Sequence, residues 1–199
     1  GVSQAATTNS DTYPLGEDVN RGWFQLLREY AGGKQVYDEG ETTDELHIGA
    51  GGDHENLDSL TLVVKSMLNP VYRGKKDLVV IIGDELLTNE KQAIYSSHGQ
   101  TPTEKDKRKA EEITMEFAGL PRVEAPSYFP DRGLLVTSLD NLSIYYQDTS
   151  VRRTITDEPK KNRIEEYNSV NEGYVIEDEE KAACIEFENV LLPGGEGWA

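Results

Sequence analysis

LPRVEAPSYFPDRGLLVTSLDNLSIYYQ, residues Leu120 to Gln147, is the stretch whose parsing decides the fold. It reads as a short strand, a proline-rich corner, a buried strand, an Asp-Asn turn and a strand ending in tyrosines. Gly133-Leu134-Leu135-Val136 is a short apolar run bounded by Asp131-Arg132 and Asp140-Asn141. After the turn, Leu142, Ile144 and Tyr146 alternate with Ser143, Tyr145 and Gln147, the two-residue period of a strand with one buried face. The expectation is a β-hairpin. Pro121, Pro126 and Pro130 lack a backbone donor and restrict their neighbours, so a rigid extended connector should lead into it. No pairing of nucleophile and base occurs anywhere in the stretch.

Working outward, Leu78-Val79-Val80-Ile81-Ile82 is an uninterrupted apolar run between Lys75-Lys76-Asp77 and Gly83-Asp84. It is too short for a typical helix and rich in β-branched residues, which predicts a central strand buried on both faces. Helical spacing appears four times. Asp18 precedes Val19, Trp23, Leu26, Leu27 and Tyr30, with Gly32 and Gly33 as the stop. Leu57, Leu60, Val64, Met67 and Leu68 form a stripe beginning near Asn56 and ending at Asn69-Pro70. Asp84 to Ser96 offers Leu86, Leu87, Ile94 and Tyr95. Thr103 heads a charged helix with a narrow stripe of Ala110, Ile113 and Phe117, closed by Gly119.

Elsewhere the pattern is weaker. Residues 1–16 read as a polar lead-in, and Lys34 to Asp53 as a long surface loop with a short strand near Leu46 to Ile48. Val151 to Thr156 alternates like a strand, and Arg163 to Ser169 reads as a short helix. Tyr174-Val175-Ile176 and Ala182 to Phe187 flank an acidic turn and read as a second hairpin. Leu191 to Ala199 reads as a loose tail. Helices and one apolar strand come first and strands dominate the end, an α+β order rather than a regular βαβ alternation.

Composition narrows the function classes. The 199 residues carry a formal charge of -17, which argues against binding nucleic acid by neutralising phosphates. The basic runs at Lys105 to Lys109, Arg152-Arg153 and Lys160 to Arg163 are mixed with acids and read as solvated faces. No apolar run approaches the ~20 residues of a membrane-spanning helix. The single cysteine, Cys184, lies in an alternating apolar run and reads as a small buried hydrophobe.

Few residues qualify for chemistry. Ile48-Gly49-Ala50-Gly51-Gly52-Asp53 lacks the lysine of a phosphate loop, and His54 stands where the last glycine of a dinucleotide fingerprint belongs. A helix-entry turn explains it better. His47, Asp53 and His54 carry metal-ligating groups at a spacing that matches no ligand motif. His98 sits in a loop, and Cys184 has no base beside it. The expectation is therefore no catalytic residue, no cofactor and no metal.

Several segments are nevertheless recognisable together. Gly51-Gly52-Asp53, Leu57-Asp58-Ser59-Leu60, Asp77 to Gly83, Leu120-Pro121, Tyr128-Phe129-Pro130, Asn141 to Tyr146, Arg152-Arg153, Val175 to Asp178 and Ala183-Cys184 resemble the major capsid proteins of peduovirus-type tailed phages. The resemblance runs in order from about Gly1 to Val190. It implies the Hong Kong ninety-seven capsid fold, shared with encapsulins: an axial domain at the capsomer centre and a peripheral domain. In such proteins an N-terminal arm, an extended loop and a spine helix precede the region matched here. The chain is thus expected to be a trimmed piece, with a lead-in at 1–16, axial domain at 17–150 and return strands, partly peripheral, at 151–199. The implied function is structural, with no enzymatic activity. Copies would form pentamers and hexamers of an icosahedral shell around double-stranded DNA, assembled in the bacterial host cytoplasm with scaffold protein and portal. An encapsulin-like compartment shares the fold, and a small α+β enzyme would need a polar pocket that no motif supplies.

Overall fold

The computed structural model describes residues 20–97, 111–126, 128–148, 152–158, 161, 163–169 and 171–195. Its centre is a mixed six-stranded sheet. The strands are β1 (Val36–Tyr37), β3 (Leu78–Ile82), β4 (Glu116–Phe117), β5 (Leu120–Val123), β6 (Leu134–Ser138) and β11 (Ala183–Ile185), in the order β1-β11-β6-β3-β5-β4. β3 runs antiparallel to β6 over five registered pairs, from Leu78 opposite Ser138 to Ile82 opposite Leu134, and parallel to β5.

The expectation for β3 holds at four of its five residues, Val79 being only half-buried. Leu78, Val80 and Ile82 point into one apolar cluster, while Ile81 joins the other. The first cluster is covered by α2 (Leu57–Met67) and the start of α3 (Asp84–Ser97), through Leu57, Leu60, Val64, Leu68, Leu86 and Leu87. The second is covered by α1 (Trp23–Glu29), through Trp23, Phe24 and Leu27. The fold is α+β, with helices on both faces of a mixed sheet. None of the described helices is long and apolar enough to cross a membrane.

Local signals explain the helix ends. Asn56 caps α2, its Oδ1 accepting from the Ser59 N–H at 2.8 Å. α1 gives way to a single 3-10 turn (Tyr30–Gly32), and Gly33, at φ 83°, provides the left-handed stop. The proposed cap Asp18 and the segments around His98 and Thr103 lie outside the described residues.

Five expectations are corrected. β6 and β7 (Leu142–Tyr146) do not form a hairpin: a 3-10 turn at Leu139–Asn141 separates them, and β7 leaves the sheet to pair with β10 (Glu172–Ile176). Leu142 and Ile144 still face the second cluster, but Tyr146, assigned to the buried face, is 64% exposed. Phe117 lies not on a helix stripe but in β4. Ala118 and Gly119, at φ 53° and 72°, form the two-residue turn into β5, the positive-φ pair that a tight hairpin needs. The left-handed glycine was legible; which element it ends was not.

Arg163 to Ser169 is a strand, β9, registered over seven pairs with β8 (Arg152–Glu158). A lone seven-residue helix is marginal, whereas a neighbouring strand supplies a full ladder. Finally, Tyr174–Ile176 and Ala182–Phe187 are not partners: β10 pairs with β7, and β11 sits between β1 and β6. Two short strands escaped notice. β1 lies inside the supposed surface loop, and β12 (Val190–Leu191) pairs in parallel with β2 (Leu46–His47).

Candidate functional site

Three turns converge where the chain changes sheets, and polar side chains hold them together. Asn141, buried in the turn after β6, donates from Nδ2 to the Asp178 carbonyl at 2.8 Å and to Thr137 Oγ1 at 3.1 Å. Its Oδ1 accepts from the Asp178 N–H at 2.9 Å. Asp178 in turn accepts from the Tyr72 hydroxyl at 2.5 Å and from the Glu180 N–H at 3.0 Å. Asn69 reaches the same turn through Glu180, and the Tyr145 hydroxyl donates to Glu177 at 2.8 Å. Lys181, buried by the turn, bridges Asp77 at 2.7 Å and Asp140 at 3.4 Å. Asp77 precedes β3, so one cation ties the entry of the central strand to the exit of β6.

Chemically this node is a clamp. Its groups are donors and acceptors already engaged with each other, and it contains neither histidine nor cysteine. Asn141→Ala would leave the Asp178 N–H of this half-buried turn without its acceptor, while the Asp178 carbonyl keeps the Lys181 N–H at 3.1 Å; one unpaired group costs about 1–3 kcal/mol. We expect a loss of about 2 kcal/mol, read as a lower urea midpoint at unchanged slope; a shift of a few tenths would contradict the clamp.

The candidates named from the sequence sit apart from the node. The glycine run is a closed turn before α2: the Gly49 N–H donates to the His54 carbonyl at 2.8 Å, and Gly49 and Gly51 take φ of 139° and 88°. Asp53 fastens it. Its carboxylate accepts from the Glu41 and His47 N–H groups, both at 2.8 Å, and Gly40 packs against it so closely that a Cβ there would lie 2.1 Å from Oδ2. His47 Nδ1 lies 3.5 Å from the same carboxylate, whereas His54 turns away to Tyr37, with Nε2 3.2 Å from the hydroxyl. Burial pushes His54 below the usual imidazole range despite nearby Asp53. The two histidines therefore do not converge, and among the described residues no three metal-ligating side chains gather.

Burial pushes the Asp53 carboxyl up, but the Glu41 and His47 N–H groups and the His47 ring outweigh it, holding it below the ordinary range. A carboxylate held low stabilises the fold above its unfolded value, about 3.9, and loses that contribution as pH falls through the lower folded value. Asp53→Asn should cost about 1–2 kcal/mol at neutral pH and flatten the acid limb of the stability curve below pH ~4. An acid limb identical to that of the parent would contradict this role.

Cys184 is fully buried in β11, and burial pushes its thiol far up, the opposite of an activated nucleophile. Beside it, Arg28 of α1 grips Glu186 through two donors and lies 5.1 Å over the Phe187 ring. Arg132 makes a bidentate pair with Glu85, both bonds 2.8 Å, and reaches the Val190 carbonyl. On the surface, Tyr128, Tyr145 and Tyr146 are exposed, and Tyr128 lies 6.3 Å from Trp23. The sequence motifs thus come together as architecture.

Comparison with known proteins agrees with that outcome. Residues 1–188 match the family model described as phage major capsid protein, P2 family. This chain belongs to that family. It is 37% identical over 194 residues to the capsid proteins of Escherichia phage P2, covering 94% of this chain and 53% of that relative. With the major capsid protein of Serratia phage KSP20 it shares 30% identity over 191 residues, covering 94% and 55%. Among solved structures, a chain of the satellite phage P4 procapsid including size determination (Sid) protein matches with a TM-score of 0.75. That match has 32% identity and covers 96% of this chain and 57% of that one. The chain spans about half the length of the curated relatives it matches. The family is structural rather than catalytic, which accounts for motif residues spent on strand crossings instead of a reaction centre.

Proposed function

We propose that this chain is the axial part of a major capsid subunit. Copies of it assemble into the pentamers and hexamers of an icosahedral phage head enclosing double-stranded DNA, with scaffold protein and portal as partners. In this reading residues 17–150 carry the axial domain. The chain leaves the central sheet at Leu139–Asn141 along the β7–β10 ribbon, and the 151–199 segment returns to that sheet through β11 before heading towards the peripheral domain. Assembly takes place in the host cytoplasm and the product is the virion shell.

The family match over residues 1–188 carries the reading. The physical character of the chain supports it. A formal charge of -17 suits a wall that confines DNA without gripping phosphates. The interlocked node at Asn141, Asp178 and Lys181 gives the crossing between sheets the rigidity that a shell under internal load requires. Expressing the complete reading frame with its scaffold partner and sedimenting the lysate tests the proposal. Fast-sedimenting hollow or DNA-filled shells containing this chain are expected. Material that stays monomeric, or shells loaded with a dedicated protein cargo, would overturn it.

A further inference from the structure

The face of the β7–β10 ribbon that packs on α1 runs on beyond the helix. Leu142 stands opposite Ile176, Ile144 opposite Tyr174 and Tyr146 opposite Glu172, so these residues share that face. Burial falls away along it: Ile176 is buried, Ile144 and Tyr174 are half-buried, and Tyr146 is 64% exposed. Trp23, at the start of α1, meets Tyr174 edge-on with ring centres 5.7 Å apart and Tyr128 at 6.3 Å. Tyr128 belongs to the proline-rich corner and is 42% exposed. The open end of the ribbon thus gathers three tyrosines around one carboxylate, with buried Trp23 behind them.

The electrostatics of this place favour a cation. Phenol rings present electron-rich faces, and Glu172 adds a full negative charge. The Tyr174 hydroxyl donates to Glu172 Oε1 at 2.9 Å, which takes one of the several acceptor positions of a carboxylate. Burial, Tyr146 and Glu172 hold the Tyr128 hydroxyl above the usual phenol range. Burial, the bond to Glu172 and the Tyr128 and Tyr146 hydroxyls push Tyr174 up to about 12. Surroundings that resist negative charge on two phenols welcome a positive one. Arginine suits them better than lysine, because its planar guanidinium stacks on a ring while its fork of N–H donors reaches a carboxylate.

The source of that cation is narrowed by the rest of the chain. Each described arginine side chain is already engaged with a carboxylate or carbonyl of its own chain. A formal charge of -17 also makes a basic partner a better match than a second copy. We propose that Tyr128, Tyr146, Tyr174 and Glu172 form a docking site for an arginine side chain on a basic segment of a different protein. The site is built in advance, since the strand ladder fixes Tyr146, Tyr174 and Glu172 and Trp23 backs two of the rings. The inference goes beyond the shell reading and does not depend on it.

Titrating the chain, carrying isotope-labelled tyrosine rings, with acetyl-glycyl-arginyl-glycine amide tests the proposal by nuclear magnetic resonance. Saturable shifts at Tyr128, Tyr146 and Tyr174 are expected, and none when citrulline, a neutral side chain of the same shape, replaces the arginine. Tyr146→Leu should weaken binding about fivefold, whereas Tyr146→Phe keeps the aromatic face and should bind like the parent. Glu172→Gln should weaken it by a similar factor, about fivefold. Tyr146 is exposed, so its variants should melt like the parent. Equal shifts with the citrulline peptide, or parental affinity in both Tyr146→Leu and Glu172→Gln, would overturn the proposal. Shifts no larger at the three tyrosines than at Tyr72 would reduce the effect to net charge and overturn it equally. Concentration-dependent shifts of the same rings without peptide would assign the face to a second copy instead.

Discussion

Ile81→Asp is expected to unfold the domain. Ile81 is the fourth of the five residues of β3, registered against Val123 on β5 and Leu135 on β6, and is only 4% exposed. Its side chain packs in the cluster formed by Trp23, Phe24, Leu27 and Phe129 beneath α1. A carboxylate placed there has no route to water unless the helix lifts away. Burying an unpaired charge costs several kcal/mol, against a total stability of about 5–15 kcal/mol for a typical domain. Ile81→Val, which keeps the shape and loses one methylene, should cost only about 1 kcal/mol. Thermal melting by circular dichroism distinguishes these outcomes. A soluble Ile81→Asp chain melting like the parent would remove β3 from the centre of the sheet.

The second large effect is expected from a single methyl group. At Gly83, directly after β3, an added Cβ would lie 2.2 Å from the Asp131 carbonyl oxygen, 2.4 Å from that of Pro130 and 2.5 Å from the Asp131 carbonyl carbon. These are backbone atoms, and they are pinned. Gly83 N–H donates to the Gly133 carbonyl at 2.8 Å, Glu85 N–H to the Asp131 carbonyl at 3.1 Å, and the Arg132–Glu85 pair closes the same junction. The glycine is required by close approach rather than by an unusual φ. Gly83→Ala should therefore cost about 3 kcal/mol, at the upper end of overpacking effects. Gly74→Ala is the control: a Cβ there meets nothing within 4 Å, so the change should be near neutral. Equal urea midpoints for the two variants would contradict the packing described at Gly83.

The elements legible in the sequence were those whose signal is local. β3 announced itself through five consecutive apolar residues, α2 through its stripe and Asn56, and Cys184 through the apolar run that buries it. What escaped depends on partners distant in sequence. β1 is two residues long and exists because Val36 and Tyr37 pair with Cys184 and Ile185. No local pattern encodes that. The break between β6 and β7 is set by Asn141 bonding Asp178, across 37 positions. An Asp-Asn pair between two strands reads equally well as a hairpin turn. The same limit applies to the node itself: Tyr72, Asn141, Asp178 and Lys181 are ordinary surface residue types, and only the crossing of three turns makes them a clamp. Asp53 was weighed in the sequence only as a metal ligand beside two histidines, and set aside because the spacing matches no motif. Its carboxylate fastens the Glu41 and His47 N–H groups, a role that no local pattern encodes.

The central claim is that this sheet is part of a capsid wall. Cryo-electron microscopy of particles produced from the complete reading frame tests it most directly. The account predicts closed shells whose repeating unit contains a six-stranded sheet in the order β1-β11-β6-β3-β5-β4, with α1 on one face and α2 on the other. Particles whose wall is built without this chain, or a reading frame whose product remains a soluble monomer in the presence of its scaffold, would contradict it.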